Sequence, residues 1–414
     1  MMITSKCKLL AIGGLTVVAA ACTVVAGTSA AMASSPAALT SPKVVPALSA
    51  MSPATAAGQV HNNALYGISC KKWTQCLAVG SRARGTAVNF RPLSEAWNGR
   101  HWKVVPMPGP TSRSRALATA ISCKSPSDCV ASGYHYSPTE GGYAPLAELW
   151  NGKSWHIIQQ RSPATTSSSF LNDVSCLAYA GCLAVGGSAG ANGNGQAIAE
   201  RWTAGHWHFL KVPQPASAVA TELDGIGCTG KYCMAVGMYE VSGGRVYAMT
   251  ERWDGNSWNL LPAVSAQAPY TELNAVSCHT ASVCMAVGDT DWTQTRPFSE
   301  LWKNGHWRQV FGSRRAGGAL TDVTCPDTNW CLAVGWANRK SLAELWSGKR
   351  WRVTTAQWAP GRQANELSQV SCPHGISWCA TVGARYQPGQ PSGEATLAEW
   401  WNGRSLRLMT TAGP

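Results

Sequence analysis

Apolar residues in this chain come in short runs, and the runs recur about every 50 residues. The first four are Leu65-Tyr66-Gly67-Ile68-Ser69-Cys70, Cys76-Leu77-Ala78-Val79-Gly80-Ser81, Leu93-Ser94-Glu95-Ala96-Trp97-Asn98 and His101-Trp102-Lys103-Val104-Val105-Pro106. Each is five or six residues of apolar, β-branched or aromatic types, too short for a helix, so each predicts a strand. The second-strand run returns at Cys76, Cys129, Cys182, Cys233, Cys284, Cys331 and Cys379, each time ending in Gly. The third carries Glu-x-Trp as Glu95/Trp97, Glu148/Trp150, Glu200/Trp202, Glu251/Trp253, Glu300/Trp302, Glu344/Trp346 and Glu399/Trp401. The fourth carries Trp102, Trp155, Trp207, Trp258, Trp307 and Trp351, with Leu406 in the seventh copy.

Strands three and four are separated by Asn98-Gly99, Asn151-Gly152, Asp254-Gly255, Ser347-Gly348 or Asn402-Gly403, which predicts a two-residue hairpin turn with positive φ at Gly. In units three and five the Gly shifts by one (Ala204-Gly205, Asn304-Gly305), predicting a different turn there.

Four antiparallel strands cannot bury both faces alone, and stacking such units in a ring leaves no open end. The fold class is therefore all-β: a seven-bladed β-propeller with four antiparallel strands per blade, spanning 64–414, with repeats starting near 64, 117, 170, 222, 272, 319 and 366. Each Trp offers a large apolar face for the gap between blades. The first unit begins with an innermost strand and the last ends with an outermost one, so closure is expected to rest on packing.

Fourteen Cys lie in phase with the repeat: Cys70/Cys76, Cys123/Cys129, Cys176/Cys182, Cys228/Cys233, Cys278/Cys284, Cys325/Cys331 and Cys372/Cys379. Each pair spans the end of one strand and the start of the next. In an oxidising compartment one disulfide per blade is expected, each worth roughly 2 kcal/mol. Zinc would need two pairs to meet in space, whereas these sit in separate blades. No metal and no cofactor are expected.

The amino terminus supports export. Lys6 and Lys8 precede an apolar run from Leu9 to Ala26, and Ala31-Met32-Ala33 offers small residues for cleavage. Residues 1–33 read as a signal peptide and 34–63 as a flexible Ala/Ser/Pro-rich leader. Retention of the apolar run as a membrane anchor, or a lipoprotein role for Cys22, are the alternatives. The formal charge of +13 favours acidic partners such as anionic wall polymers or acidic glycans.

The Cys-Met-Ala-Val-Gly run at Cys233 followed by Glu251-Arg252-Trp253-Asp254-Gly255-Asn256-Ser257-Trp258 resembles the kelch motif. The resemblance implies a propeller like the central domain of galactose oxidase. The pattern is also similar to exported actinobacterial repeat proteins with a Cys pair per repeat. Kelch units usually carry Gly-Gly, which occurs at this motif position only at Gly186-Gly187, and paired Cys is not a general kelch feature. A copper oxidase of that type needs a free Cys, and every Cys outside the signal is paired.

In a propeller the connections divide onto two faces. The loops joining strands one to two and three to four are uniform here; those joining strands two to three, and each blade to the next, hold the variation and are the expected binding face. The candidate ligand-binding residues are Arg82 and Arg84 in unit one, Tyr134, His135 and Tyr136 in unit two, and Tyr239 and Arg245 in unit four. Unit five adds Asp289, Asp291 and Trp292, unit six Trp336 and Arg339, and unit seven Arg385 and Tyr386. Aromatic and Arg side chains suit sugar rings, peptides and carboxylates. No catalytic residue is assigned. The seven Glu-x-Trp carboxylates read as a repeated structural hydrogen bond inside each blade. No G-x-G-x-x-G, P-loop, H-E-x-x-H or G-x-S-x-G motif occurs. These features point to a secreted, monomeric, non-catalytic binding or scaffold protein. Its expected partner is a glycan, cell-wall polymer or extracellular protein rather than nucleic acid. The alternative is an extracellular glycoside hydrolase or polysaccharide lyase acting on the same face.

Overall fold

Backbone pairing follows the repeat. The structure, a computed structural model, describes residues 61–413 except 85–89, 111–114, 159, 161, 164–165, 178–180, 191–194, 265–267, 292–293, 313–316, 357–363, 374–377 and 387–393. The expected signal peptide, and the leader up to residue 60, lie outside the described residues. Blade 1 is an antiparallel meander of His61–Lys72, Gln75–Arg84, Arg91–Trp97 and Trp102–Val105. Blades 2 to 6 repeat it over 116–158, 166–210, 218–261, 271–309 and 318–353. Blade 7 comprises Asn365–Ser371, Cys379–Tyr386, Glu394–Trp401 and Ser405–Met409. A two-residue strand, Thr355–Ala356, leaves blade 6 and pairs in parallel with Ser405–Met409 at the outer edge of blade 7. No helix occurs among the described residues.

The first strands of consecutive blades face one another around the axis, and His61–Lys72 meets the strands of blade 7, which closes the ring at seven. Inner strands are longer than the five or six residues expected: first strands run from 7 to 12 residues. The extra length extends hairpins of strands two and three out of the variable segments, most clearly at Asp128–Ser137 with Gly142–Trp150 and at Tyr232–Val241 with Arg245–Trp253.

The Gly that ends each second-strand motif has a steric cause. It lies opposite a register shift in the first strand, such as that between Leu65 and Gly67. A Cβ at Gly80 would stand 2.0 Å from the Ala64 carbonyl oxygen, and the equivalent position in every other blade is as tight. Only a residue without a side chain lets the bulged strand approach.

The turns reverse the expected assignment. In blades 1, 2, 4 and 7 the connection is four residues long, and Asn98, Asn151, Asp254 and Asn402 cap it by accepting from backbone amides two and three residues on. Blades 3 and 5 hold the two-residue turn, with both central residues at positive φ (Ala204 and Gly205, Asn304 and Gly305), as type I′ requires.

All seven disulfides form within blades. In blades 1 to 5 the paired Cys are direct cross-strand partners, with Cα atoms 3.9 to 4.1 Å apart. The second Trp of each blade reaches back to the preceding blade: Trp102 packs with Ala380, Val382 and Ala398, and Trp351 Nε1 donates to Ser299 Oγ at 3.0 Å. Leu406 fills the corresponding place in blade 7.

Seams between blades are also clamped by polar side chains on the first strand. Ser69, Ser122, Ser277 and Ser371, each just before the first Cys, accept from the backbone N–H of the first Cys in the next blade, at 2.9 to 3.2 Å. Asp173, Asp322 and Gln369, two residues earlier, accept from Ile226, Val370 and Ile68 amides at 2.8, 2.7 and 2.6 Å.

Candidate functional site

The Glu-x-Trp carboxylates were the most repetitive candidate chemistry, and the structure removes them from both faces. All seven are buried, at 1% exposure or less. Where a partner is described it corrects the expectation of a bond inside each blade, because it comes from the preceding blade or the segment leaving it. Glu200 accepts from Gln160 Nε2 at 3.4 Å and Glu399 from Ser341 Oγ at 3.1 Å. Glu344 faces Gly312, where a Cβ would stand 2.9 Å from its Oε2. Glu95 accepts from the backbone N–H of Ala412 at 2.9 Å, so the tail of the chain fills for blade 1 the place that interblade segments fill elsewhere.

Burial pushes Glu148, Glu200, Glu251 and Glu300 up to about 8 and Glu399 up to about 7. Burial also raises Glu95, with the Ala412 amide opposing it. Among the described residues neither oxygen of Glu148 or Glu251 has a hydrogen-bond partner. A carboxyl shut between two sheets is held protonated by desolvation and cannot meet a substrate.

The variable face sorts the sequence candidates into three groups. Two are buried: Tyr134 is 5% exposed and packs with Phe170 of blade 3, and Trp336 is 6% exposed. Two fall outside what can be placed: Trp292 lies outside the described residues, and of Arg84 only the backbone, ending its strand, is described. The others are accessible to differing degrees. Arg245 and Arg339 are exposed, and Arg82, His135, Tyr239, Asp289, Asp291, Arg385 and Tyr386 are half-buried.

Blades 2 and 3 bring aromatics together. Tyr134, Tyr143 and Phe170 form a buried cluster with Leu117, and Tyr66 and Phe90 pack against it. Tyr136, 37% exposed, sits edge-on to Tyr143 at 5.8 Å between centroids, and Arg115 lies 6.0 Å from its ring. His135 Nδ1 is 3.3 Å from the Tyr136 carbonyl oxygen, and burial lowers its pKa. Sequence reasoning named Tyr134 and Tyr136 but missed Phe170, whose place in a Ser-rich first strand gave no sign of this contact.

Elsewhere the face is polar. In blade 4 Tyr239 pairs across the hairpin with Tyr247 at 5.4 Å, and burial raises its pKa. In blade 5 Asp289 accepts from Asn274 Nδ2 at 3.0 Å, and Asp291 takes a left-handed backbone with φ 71°. In blade 7 burial, together with Glu394, raises the Tyr386 hydroxyl far above its ordinary value. Near the axis Asn172 donates to Glu222 and Asp224, and the Tyr270 hydroxyl bonds Glu272. The structure thus splits the inner ring into an aromatic sector at blades 2 and 3 and a carboxylate sector at blades 4 and 5. Among the described residues no group of three or more His, Cys, Asp or Glu is placed to hold a metal, and no helix is long and apolar enough to cross a membrane.

No family model and no curated protein matches the sequence. Among solved structures that align, one described as YCF48 bound to D1 peptide has a TM-score of 0.47 at 10% identity, covering 79% of this chain and 91% of that one. A likeness of that degree carries no argument about what this chain binds. Its own pairing and cross-links carry the fold, and they make the chain an all-β, seven-bladed propeller with one disulfide in every blade.

Proposed function

We propose that this chain is an exported, non-catalytic binding or scaffold protein that holds its ligand on the variable face. The observation that carries the reading is Tyr136: an exposed ring backed by buried Tyr143, with Arg115 and His135 beside it. A pre-positioned aromatic plane flanked by cationic and imidazole donors suits the apolar face and hydroxyls of a sugar ring. A glycan is therefore the first choice, ahead of a cell-wall polymer or an extracellular protein. Fourteen Cys held in disulfides fit a life in an oxidising compartment, and export through the apolar amino-terminal run is part of this reading. A kelch-like origin of the repeat belongs to it as well.

The test is a glycan panel probed with the oxidised protein, with released sugar measured in parallel. Binding without product, weakened about tenfold or more by Tyr136→Ala, is expected, since a stacked ring is worth on the order of 1–2 kcal/mol. Product release that disappears on changing His135 or Asp291 would establish the enzyme alternative instead. Glycan binding that ignores Tyr136 would move the site off this sector.

A further inference from the structure

The two signs of charge are partitioned between inside and outside. Eleven of the 21 Asp and Glu residues are buried, whereas no Lys or Arg among the described residues is. The formal charge of +13 counts every carboxylate as ionised. Four of the buried ones, held up to about 8, are protonated at neutral pH and offset nothing. The exterior is accordingly more cationic than the composition implies.

The cations are not confined to the variable face. The face built from the disulfide loops and the turns between strands three and four presents an exposed Lys or Arg in six of the seven blades. They include Arg100, Lys153, Lys231, Lys303, Lys349 and Arg404, and Lys71, Lys72 and Arg350 add to blades 1 and 6. Among the described residues none of them is paired with a carboxylate. The exposed acids on this side are Asp128, Asp254 and Asp327, and the last two accept from backbone amides of their own turns. Cysteine cross-links and tight turns hold the backbone that carries these cations, so the charges sit on a rigid ring.

We propose that this disulfide face is a second binding surface, and that it takes a flexible linear polymer of phosphate groups. The charges are spread around a circle over six of the seven blades, so a short anion meets only a few of them while a bending chain meets many. Most are Lys, compact point charges that suit phosphate without demanding the paired geometry of a carboxylate fork. Among the described residues this surface exposes no row of aromatic faces of the kind that stacks the bases of single-stranded nucleic acid. Among the described residues its one exposed large aromatic is Trp73. The proposal does not depend on the glycan reading, which concerns the opposite face.

The experiment uses the oxidised full chain with long-chain inorganic polyphosphate, and a poly(glycerol phosphate) as a second arm to separate a free polyphosphate from a polyol phosphate. Raising salt from about 50 to about 200 mM is expected to weaken binding at least about tenfold, because several counterions are released together. The triple change Lys153→Glu, Lys303→Glu, Lys349→Glu should weaken it by a further tenfold or more. The milder Lys→Gln set reads the same sites should the charge reversal fail to fold. Lys211→Glu, Arg296→Glu and Lys340→Glu on the variable face should alter it less than about twofold. Equal losses from the two faces, or binding indifferent to salt, would overturn the proposal. Tighter binding of a single-stranded DNA of equal charge would overturn the choice of a base-free polymer.

Discussion

The seam between blades 7 and 1 and the seam between blades 4 and 5 join equivalent strands by opposite means. At the closing seam two side chains clamp at once: Gln369 accepts from Ile68 and Ser371 from Cys70. Asn62 Oδ1 accepts from the Glu394 amide at 3.3 Å, and the tail bonds Glu95 through Ala412. At the other seam both clamp positions are glycine. A Cβ at Gly225 would stand 2.6 Å from Ala275 Cα, and one at Gly227 would stand 2.5 Å from the Val276 carbonyl oxygen. The five remaining seams carry one clamp of this kind each. No peptide segment links blade 7 to blade 1, so that seam is held by side chains on both sides of the break. Blades 4 and 5 are tethered through the chain and can rely on close backbone packing instead.

The largest expected effect comes from pH, and it separates the two seams. A carboxyl whose folded pKa stands above its ordinary 4.5 contributes in full below that value. Its contribution is lost as pH rises toward and through the folded value, at up to about 1.4 kcal/mol per pH unit per group. With four such groups near 8, thermal melts should show a protein markedly more stable at pH 5 than at pH 9. Glu300→Gln, at the glycine seam, should flatten that profile more than Glu95→Gln, whose carboxylate the Ala412 amide already supports. A profile rising toward alkaline pH would refute the burial argument.

Next in size is Gly225→Ala. Because the added methyl meets backbone, which cannot rotate away, a loss of about 2–4 kcal/mol is expected in chemical denaturation. Unchanged stability would show that the seam has slack. Smallest is Ala412→Pro, which removes the amide that Glu95 accepts from. Leaving that carboxylate short of a partner should cost about 1–3 kcal/mol, read as a lower melting temperature. No change would mean that the tail contributes nothing to closure.

The architecture was legible because its determinants are local and repeated. The Cys spacing sets the cross-link, the Gly that ends the second-strand run marks the bulge, and Glu-x-Trp marks the third strand, seven times over. Strand ends were less legible, since Tyr134-His135-Tyr136 continues a ladder into what composition presents as a loop. Turn type was misread for a related reason. An Asn or Asp before Gly suits a two-residue turn, yet here its side chain caps a four-residue one; the two Trp pair in both turn types, and only in blades 3 and 5 does the ladder run one pair further, Thr203 with His206 and Lys303 with His306, to leave two residues.

What the sequence determined by itself is the module, because a strand, its cross-link and its turn depend on residues only a few positions apart. What tertiary structure alone decided is everything that passes between modules. The Glu carboxyls look outward to the preceding blade, the tail substitutes for a linker at Glu95, and Phe170 of blade 3 joins the tyrosines of blade 2. Those contacts join residues from 36 to more than 300 positions apart in the chain. They exist only once the ring has set which sheet faces which.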